Sequence, residues 1–337
     1  MRIILDGMGG DHAPEEVVKG AVLASEEINH QITIIGREDE INKQLKKYKY
    51  NQDKITVVNA DEVITNDDAP VRAVRTKKQS SIVQGLTMVK NGEGDVFVSA
   101  GSTGALLAGG LLILGRVHGI DRPALATVYP VLGKAPALLV DAGANAECKP
   151  NNLLEFGIMG SIYMEKVLHR ELPRVGLVNI GTEEGKGTTL TKEAFELLKK
   201  SHLHFVGNVE AREIPRGICD VIVADGFTGN VLLKLTEGFG LTMMKSIKQR
   251  FTDGGIAKLG AALLKDKLRG LKEEFDYSEY GGAPILGVKG PMIKMHGSSD
   301  AKAVKNAILM TIPYVEGKVV ETIENSVLEI EEIVLGE

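Results

Sequence analysis

The chain has 337 residues, 40 Lys+Arg against 45 Asp+Glu, and a formal net charge of -5. That balance excludes wholesale nucleic-acid binding, while 43% hydrophobic and 25% charged residues exclude disorder as the dominant state. The length exceeds the usual single-core limit of roughly 250–300 residues, so the expectation is either one large domain or two packed lobes.

Two cysteines, Cys148 and Cys219, cannot build a disulfide framework, and no basic, apolar leader precedes the first strand-like run, so a cytoplasmic protein is expected. In chain order, apolar runs at Arg2 to Asp6, Ile32 to Gly36, Ile55 to Asn59 and Asp95 to Gly101 read as strands buried on both faces. Similar runs follow at Ala124 to Pro130, Ala137 to Gly143, Val175 to Gly181, Leu203 to Asn208 and Cys219 to Gly226. Helix-length segments between most of them imply βαβ crossovers and a mainly parallel sheet between helical layers, an α/β fold. Two strands follow one another without a helix after Asp121, which sets a soft lobe boundary near that residue.

Five glycine-rich segments follow strands, where loops at carboxyl ends of such a sheet are expected to converge on one crevice. In DGMGGDHAP, Asp11 and His12 form an acid–imidazole pair suited to proton relay or anion contact, or equally to an ordinary helix start. SAGSTGA offers Ser102, Thr103 and Gly104 to a phosphate at a helix start, with a tight turn capped by Ser102 as the alternative. DAGANAECKP places Asn145 and Lys149 where they could stabilise an oxyanion. Its Cys148 is a weak nucleophile candidate, with no histidine near it in sequence. NIGTEEGKGT carries Lys186, either a phosphate-seeking cation or a solvated lysine, and is one residue too short between its glycines for a Walker ATPase. DGFTGN opens a long helix and presents Thr228 and Asn230 as an anion cradle or a plain cap.

No G-x-G-x-x-G follows the first strand, which weakens a nicotinamide dehydrogenase, and no His–Cys spacing suggests a metal. Residues 254–275 form a basic amphipathic segment, with Ile256, Leu259, Leu263, Leu264, Leu268 and Leu271 on one half and Lys258, Lys265, Arg269 and Lys272 opposite. Such a segment lies on a membrane, binds an acidic partner or packs on its own core.

Taken together, DGMGGDHAP, SAGSTGALLA, DAGANAECKP, NIGTEEGKG, DGFTGN, GGAPILGVKG and HGSS resemble, in order from Asp6 to Ser299, the bacterial phosphate acyltransferases of the PlsX family. Gly7, where the family often has Ala, is a minor departure. The resemblance implies a three-layer fold like isopropylmalate dehydrogenase and the phosphotransacetylases, with an amphipathic helical appendage. It also implies a homodimer, peripheral attachment to the cytoplasmic membrane through 254–275, and no cofactor or metal. The implied reaction makes acyl phosphate from acylated acyl carrier protein and inorganic phosphate, an early step of phospholipid synthesis, with the downstream glycerol-phosphate acyltransferase as a candidate partner. On the matching motifs, Ser102, Thr103 and Lys186 are expected at phosphate, Asn145 and Lys149 at the oxyanion, and His12 or His296 at a moving proton. The alternatives are an NAD-dependent hydroxy-acid dehydrogenase of the same fold and a non-catalytic scaffold binding lipid or carrier protein.

Overall fold

The computed structural model describes residues 1–252, Leu264, Gly270 and 281–335. The amphipathic segment 254–275 therefore lies outside the described residues, apart from Leu264 and Gly270. No described helix is long and apolar enough to cross a membrane.

Eleven strands form one sheet, in the order β3-β2-β1-β4-β11-β10-β5-β6-β9-β7-β8. The first four are β1 (Arg2–Asp6), β2 (Gln31–Gly36), β3 (Ile55–Asn59) and β4 (Val96–Ser99). Then come β5 (Ala124–Tyr129), β6 (Ala137–Val140), β7 (Val175–Asn179), β8 (Phe205–Glu210) and β9 (Val221–Val223), closed by β10 (Ala283–Leu286) and β11 (Met292–Lys294). All nine strands read from the sequence are present. The two it did not supply, β10 and β11, are short and sit in the glycine-punctuated GGAPILGVKG stretch and just beyond it.

Those two strands change the architecture. β3, β2, β1, β4 and β11 are mutually parallel, and so are β6, β9, β7 and β8. Between the two sets, β10 pairs antiparallel with both β11 and β5, and β5 pairs antiparallel with β6. Three reversals leave the two parallel sets pointing in opposite directions. The carboxyl ends of β1, β4 and β11 lie at one edge of the sheet, here the first edge, and those of β6, β9 and β7 at the other, the second edge. The single crevice expected for all five glycine loops is thus replaced by two loop clusters, because apolar patterning marks a strand without giving its direction.

Helices cover both faces. α1 (Glu15–Glu27), α2 (Glu38–Leu45), α6 (Pro150–Lys166), α7 (Thr189–Lys200), α9 (Ala301–Glu316) and α10 (Val319–Leu335) bury side chains in one core, which includes Ile3, Leu5, Val96, Val140, Phe156, Tyr163 and Val221. α3 (Pro70–Thr76), α4 (Ser81–Lys90), α5 (Thr103–Gly109) and α8 (Gly226–Thr252) cover the other face around Ile4, Phe97, Leu139 and Ile222. Alternate residues of one strand, such as Leu138 and Leu139, enter opposite cores, which is why these strands are apolar without interruption.

α8 runs from one edge to the other. It starts at the second edge, where the Gly226 N–H donates to the Asn145 carbonyl at 2.7 Å. Ten residues on, Thr236 shares a 2.7 Å hydroxyl hydrogen bond with Tyr129, the last residue of β5 at the first edge. Phe227, Val231, Leu235 and Phe239, one residue per helical turn, are 53% to 68% exposed along it.

Candidate active site at the carboxyl ends of β6, β7 and β9

The loop after β6 is built around one buried carboxylate. Asp141 accepts hydrogen bonds from the N–H groups of Leu125 (3.1 Å), Gly143 (3.1 Å), Ala144 (2.9 Å) and Asn145 (2.7 Å), and from the Asn145 side-chain amide (2.9 Å). Burial raises its pKa against these bonds, which favour the charged form. The other amide hydrogen of Asn145 goes to the Pro123 carbonyl at 2.8 Å. Asn145 thus has both donors engaged inside the protein, and it ties the loop down rather than facing outward.

α8 is pressed directly onto this loop. A Cβ on Gly229 would overlap the Asp141 carbonyl oxygen, so only glycine allows this approach. Asp225 closes the helix start by accepting the Thr228 N–H at 2.9 Å and the Thr228 hydroxyl at 2.7 Å. The hydroxyl expected in an anion cradle is therefore occupied. Asn230, one turn into α8, is exposed with its side chain lying over Gly143.

The loop after β7 is shaped by two amides. Asn179 donates to the Lys186 carbonyl at 3.1 Å and to Asn208 at 3.1 Å, while Asn208 donates to the Glu183 carbonyl at 2.9 Å. Lys186 projects from this loop into solvent, and its ammonium has no partner among the described residues. Lys149, exposed at the start of α6, makes no ion pair or side-chain hydrogen bond among the described residues, though its charge helps hold the Asp121 carboxyl low; its backbone N–H is held by Asn152 at 2.8 Å. Because β6, β9 and β7 are adjacent, their loops stand side by side about 4.8 Å apart per strand.

Two groups that sequence reasoning passed over complete this edge. Glu155 on α6 is buried and accepts the Asp121 N–H at 3.0 Å and the Arg122 N–H at 3.5 Å, and burial pushes its pKa to about 7. Asp121 in turn accepts the Asn152 amide at 3.2 Å, and hydrogen bonding holds its carboxyl below the usual range. A lone carboxylate in an apolar helix, LLEFGIM, was the available signal. Burial pushes the Cys148 thiol up to about 11 and the Cys219 thiol to about 12, the reverse of an activated nucleophile.

The remaining candidates stand at the first edge. Gly9 packs against Gly101, and the Asp11 N–H donates to the Gly297 carbonyl at 2.7 Å, bringing the loops that carry His12, Ser102, Thr103, Gly104 and His296 together. Beneath them Asp6 is buried, its pKa raised by burial against a 2.6 Å bond from the Ser99 hydroxyl and one from Ser81. Asp11 and His12 are exposed, and Ser102 and Thr103 make no side-chain hydrogen bond among the described residues. By strand order Lys186, Lys149 and Asn230 follow β7, β6 and β9 at the second edge, while His12, His296, Ser102 and Thr103 stand at the first. No group of three or more His, Cys, Asp or Glu among the described residues has metal-binding geometry.

This arrangement of two opposed parallel halves is the phosphotransacetylase fold. A phosphotransacetylase from Streptococcus pyogenes superimposes with a TM-score of 0.64 at 18% identity over 94% of each chain. A 4-hydroxythreonine-4-phosphate dehydrogenase from Klebsiella pneumoniae has the same fold at a TM-score of 0.52 and 12% identity, over 93% of this chain and 99% of that one. The chain belongs to the family described as fatty acid synthesis protein, whose profile matches residues 1–322. Proteins called phosphate acyltransferase from Alkaliphilus oremlandii and Clostridioides difficile are 56% and 52% identical to it, over 97% of both chains and over 96% and 95%, respectively.

Proposed function

We propose that the protein is a phosphate acyltransferase that converts acylated acyl carrier protein and inorganic phosphate to acyl phosphate and free carrier protein. The observation that carries the site assignment is that Lys186, Lys149 and Asn230 make no side-chain hydrogen bond or ion pair among the described residues, on loops where Asp141, Asn145, Asn179 and Thr228 are engaged internally. Lys186 and Asn230 hold the phosphate; Lys149 faces the oxygen of the tetrahedral intermediate, and Asn145 positions its loop. Hydrogen phosphate is already a nucleophile and a thiol of ordinary pKa near 8.5 is an acceptable leaving group, so catalysis needs placement and charge more than activation. One C–O bond forms, the C–S bond breaks, and the departing thiolate takes the phosphate proton. No acyl-enzyme is required, in keeping with the raised pKa of both thiols.

The exposed apolar row on α8, about 18 Å from Phe227 to Phe239 at 1.5 Å per residue, is where a second copy of the chain covers the monomer, making a homodimer. The segment 254–275 holds the enzyme on anionic lipid from the cytoplasmic side, near the glycerol-phosphate acyltransferase that uses its product. Vesicle sedimentation at low and high salt, with Leu263→Glu and Lys265→Glu beside the native chain, tests that attachment; native protein left in the supernatant refutes it. The reaction itself is tested by trapping acyl phosphate as hydroxamate, with NAD reduction as the control for a dehydrogenase. Absence of phosphate-dependent hydroxamate refutes the assignment.

A further inference from the structure

The loop that carries Lys186 also carries two exposed carboxylates, Glu183 and Glu184. Glu184 is engaged by Lys199 at 2.8 Å. Glu183 makes no ion pair among the described residues, and it is near: a Cβ built on Gly181 would lie 2.8 Å from its carboxylate oxygen and 3.2 Å from the Lys186 stem. An exposed Lys–Glu pair is weak, yet it competes with phosphate for the same ammonium. Whether Lys186 serves an anion therefore depends on what holds it and Glu183 apart.

Hydrogen bonds from beneath the loop do so. The Lys186 N–H donates to the Glu183 carbonyl at 3.1 Å, closing a turn. Asn208 of β8, 5% exposed, donates to the same carbonyl at 2.9 Å and accepts from the Asn179 amide at 3.1 Å. The other Asn179 hydrogen reaches the Lys186 carbonyl at 3.1 Å, and its oxygen accepts the Ile180 N–H at 2.8 Å. Asn208 thus pins one end of the turn directly and orients the amide that pins the other. Being buried under the loop, it acts on a ligand only through that loop. We propose that Asn208 is a positioning residue for phosphate binding: by holding the 183–186 turn it keeps the Lys186 ammonium apart from Glu183 and ready for the anion. Such preorganisation lowers the cost of ordering a long side chain when the ligand arrives. The inference rests on the reading of Lys186 as a phosphate ligand.

Steady-state kinetics of the full chain, with inorganic phosphate varied at saturating acylated carrier protein, test it. Asn208→Ala is expected to raise the phosphate KM about fivefold while kcat stays within about twofold, because Lys149 and the β6 loop are held by other bonds. In that background Glu183→Gln is expected to bring the KM back towards native, since the competing carboxylate is gone. A loss of packing at β8 alone would not be repaired by a change on the loop surface. In a Lys186→Ala background, Asn208→Ala should add nothing further to the KM. Asn208→Asp keeps the bond from Asn179 but has no hydrogen for the Glu183 carbonyl, and it repeats the measurement if Asn208→Ala melts below the assay temperature. A native phosphate KM in both Asn208 variants, or a raised KM that Glu183→Gln does not lower, overturns the proposal while leaving Lys186 in the site. A native KM in Lys186→Ala is the separate result that removes the Lys186 reading, and this inference with it.

Discussion

Each edge of the sheet is built on a buried carboxylate, but the two are satisfied by different donors. At the second edge a buried carboxylate, Asp141, is saturated by five amide donors, and the cations stay outside on Lys186 and Lys149. At the first edge the buried carboxylate, Asp6, is held chiefly by the Ser99 and Ser81 hydroxyls and the Met8 N–H, and a half-buried lysine, Lys294, donates to the Met295 carbonyl. A satisfied interior with exposed cations is a rigid frame presenting charge to a ligand. The difference also separates residues whose loss costs stability from those whose loss costs only turnover.

The largest effect is expected at Asp141. Asp141→Ala strands five donors in a dry loop and removes the seat of α8, so chemical denaturation should show a loss of about 3 kcal/mol or more, with activity lost. A variant as stable as the native chain would mean that the loop is not the keystone of the second edge. Next comes Lys186→Ala, expected to lower turnover by about 10²-fold and raise the phosphate requirement while leaving the melting curve in place. Unchanged phosphate kinetics would take Lys186 out of the site.

A smaller effect sharpens the comparison through pH. Burial pushes the Glu155 pKa to about 7 in the folded chain against an ordinary 4.5, so the native state binds more protons between those values and Glu155 makes folding less favourable as pH rises from 4.5 to 7. Glu155→Gln removes that slope, so the variant's stability relative to native should increase across this window; parallel curves would show that Glu155 does not titrate there. The smallest effect is expected for Cys148→Ser, which should keep activity within a few-fold because its thiol is poorly ionised. An acylated cysteine trapped from the native enzyme would break the direct-attack mechanism.

The strands were legible because burial on both faces leaves an uninterrupted apolar run, as in RIILD and ALLV, and their glycine-rich ends marked both loop clusters. Direction was not legible: β10 is four residues and β11 three, too short for a pattern, yet they help set the reversals that part Ser102 from Lys186. Composition likewise named Asn145 and Thr228 as polar loop residues without revealing that Asp141 and Asp225 already claim them. Lys294 escaped notice because a lysine ending an apolar strand looks like any solvated lysine until its burial is known.

α8 gives the protein a stiff axle between its two charged ends. Asn230 rides on its first turns and Lys234 one turn later, about 6 Å further along the axis, and a continuous helix changes little in length. A ligand that slides or rolls the helix at one end therefore displaces the donors at the other by a similar amount.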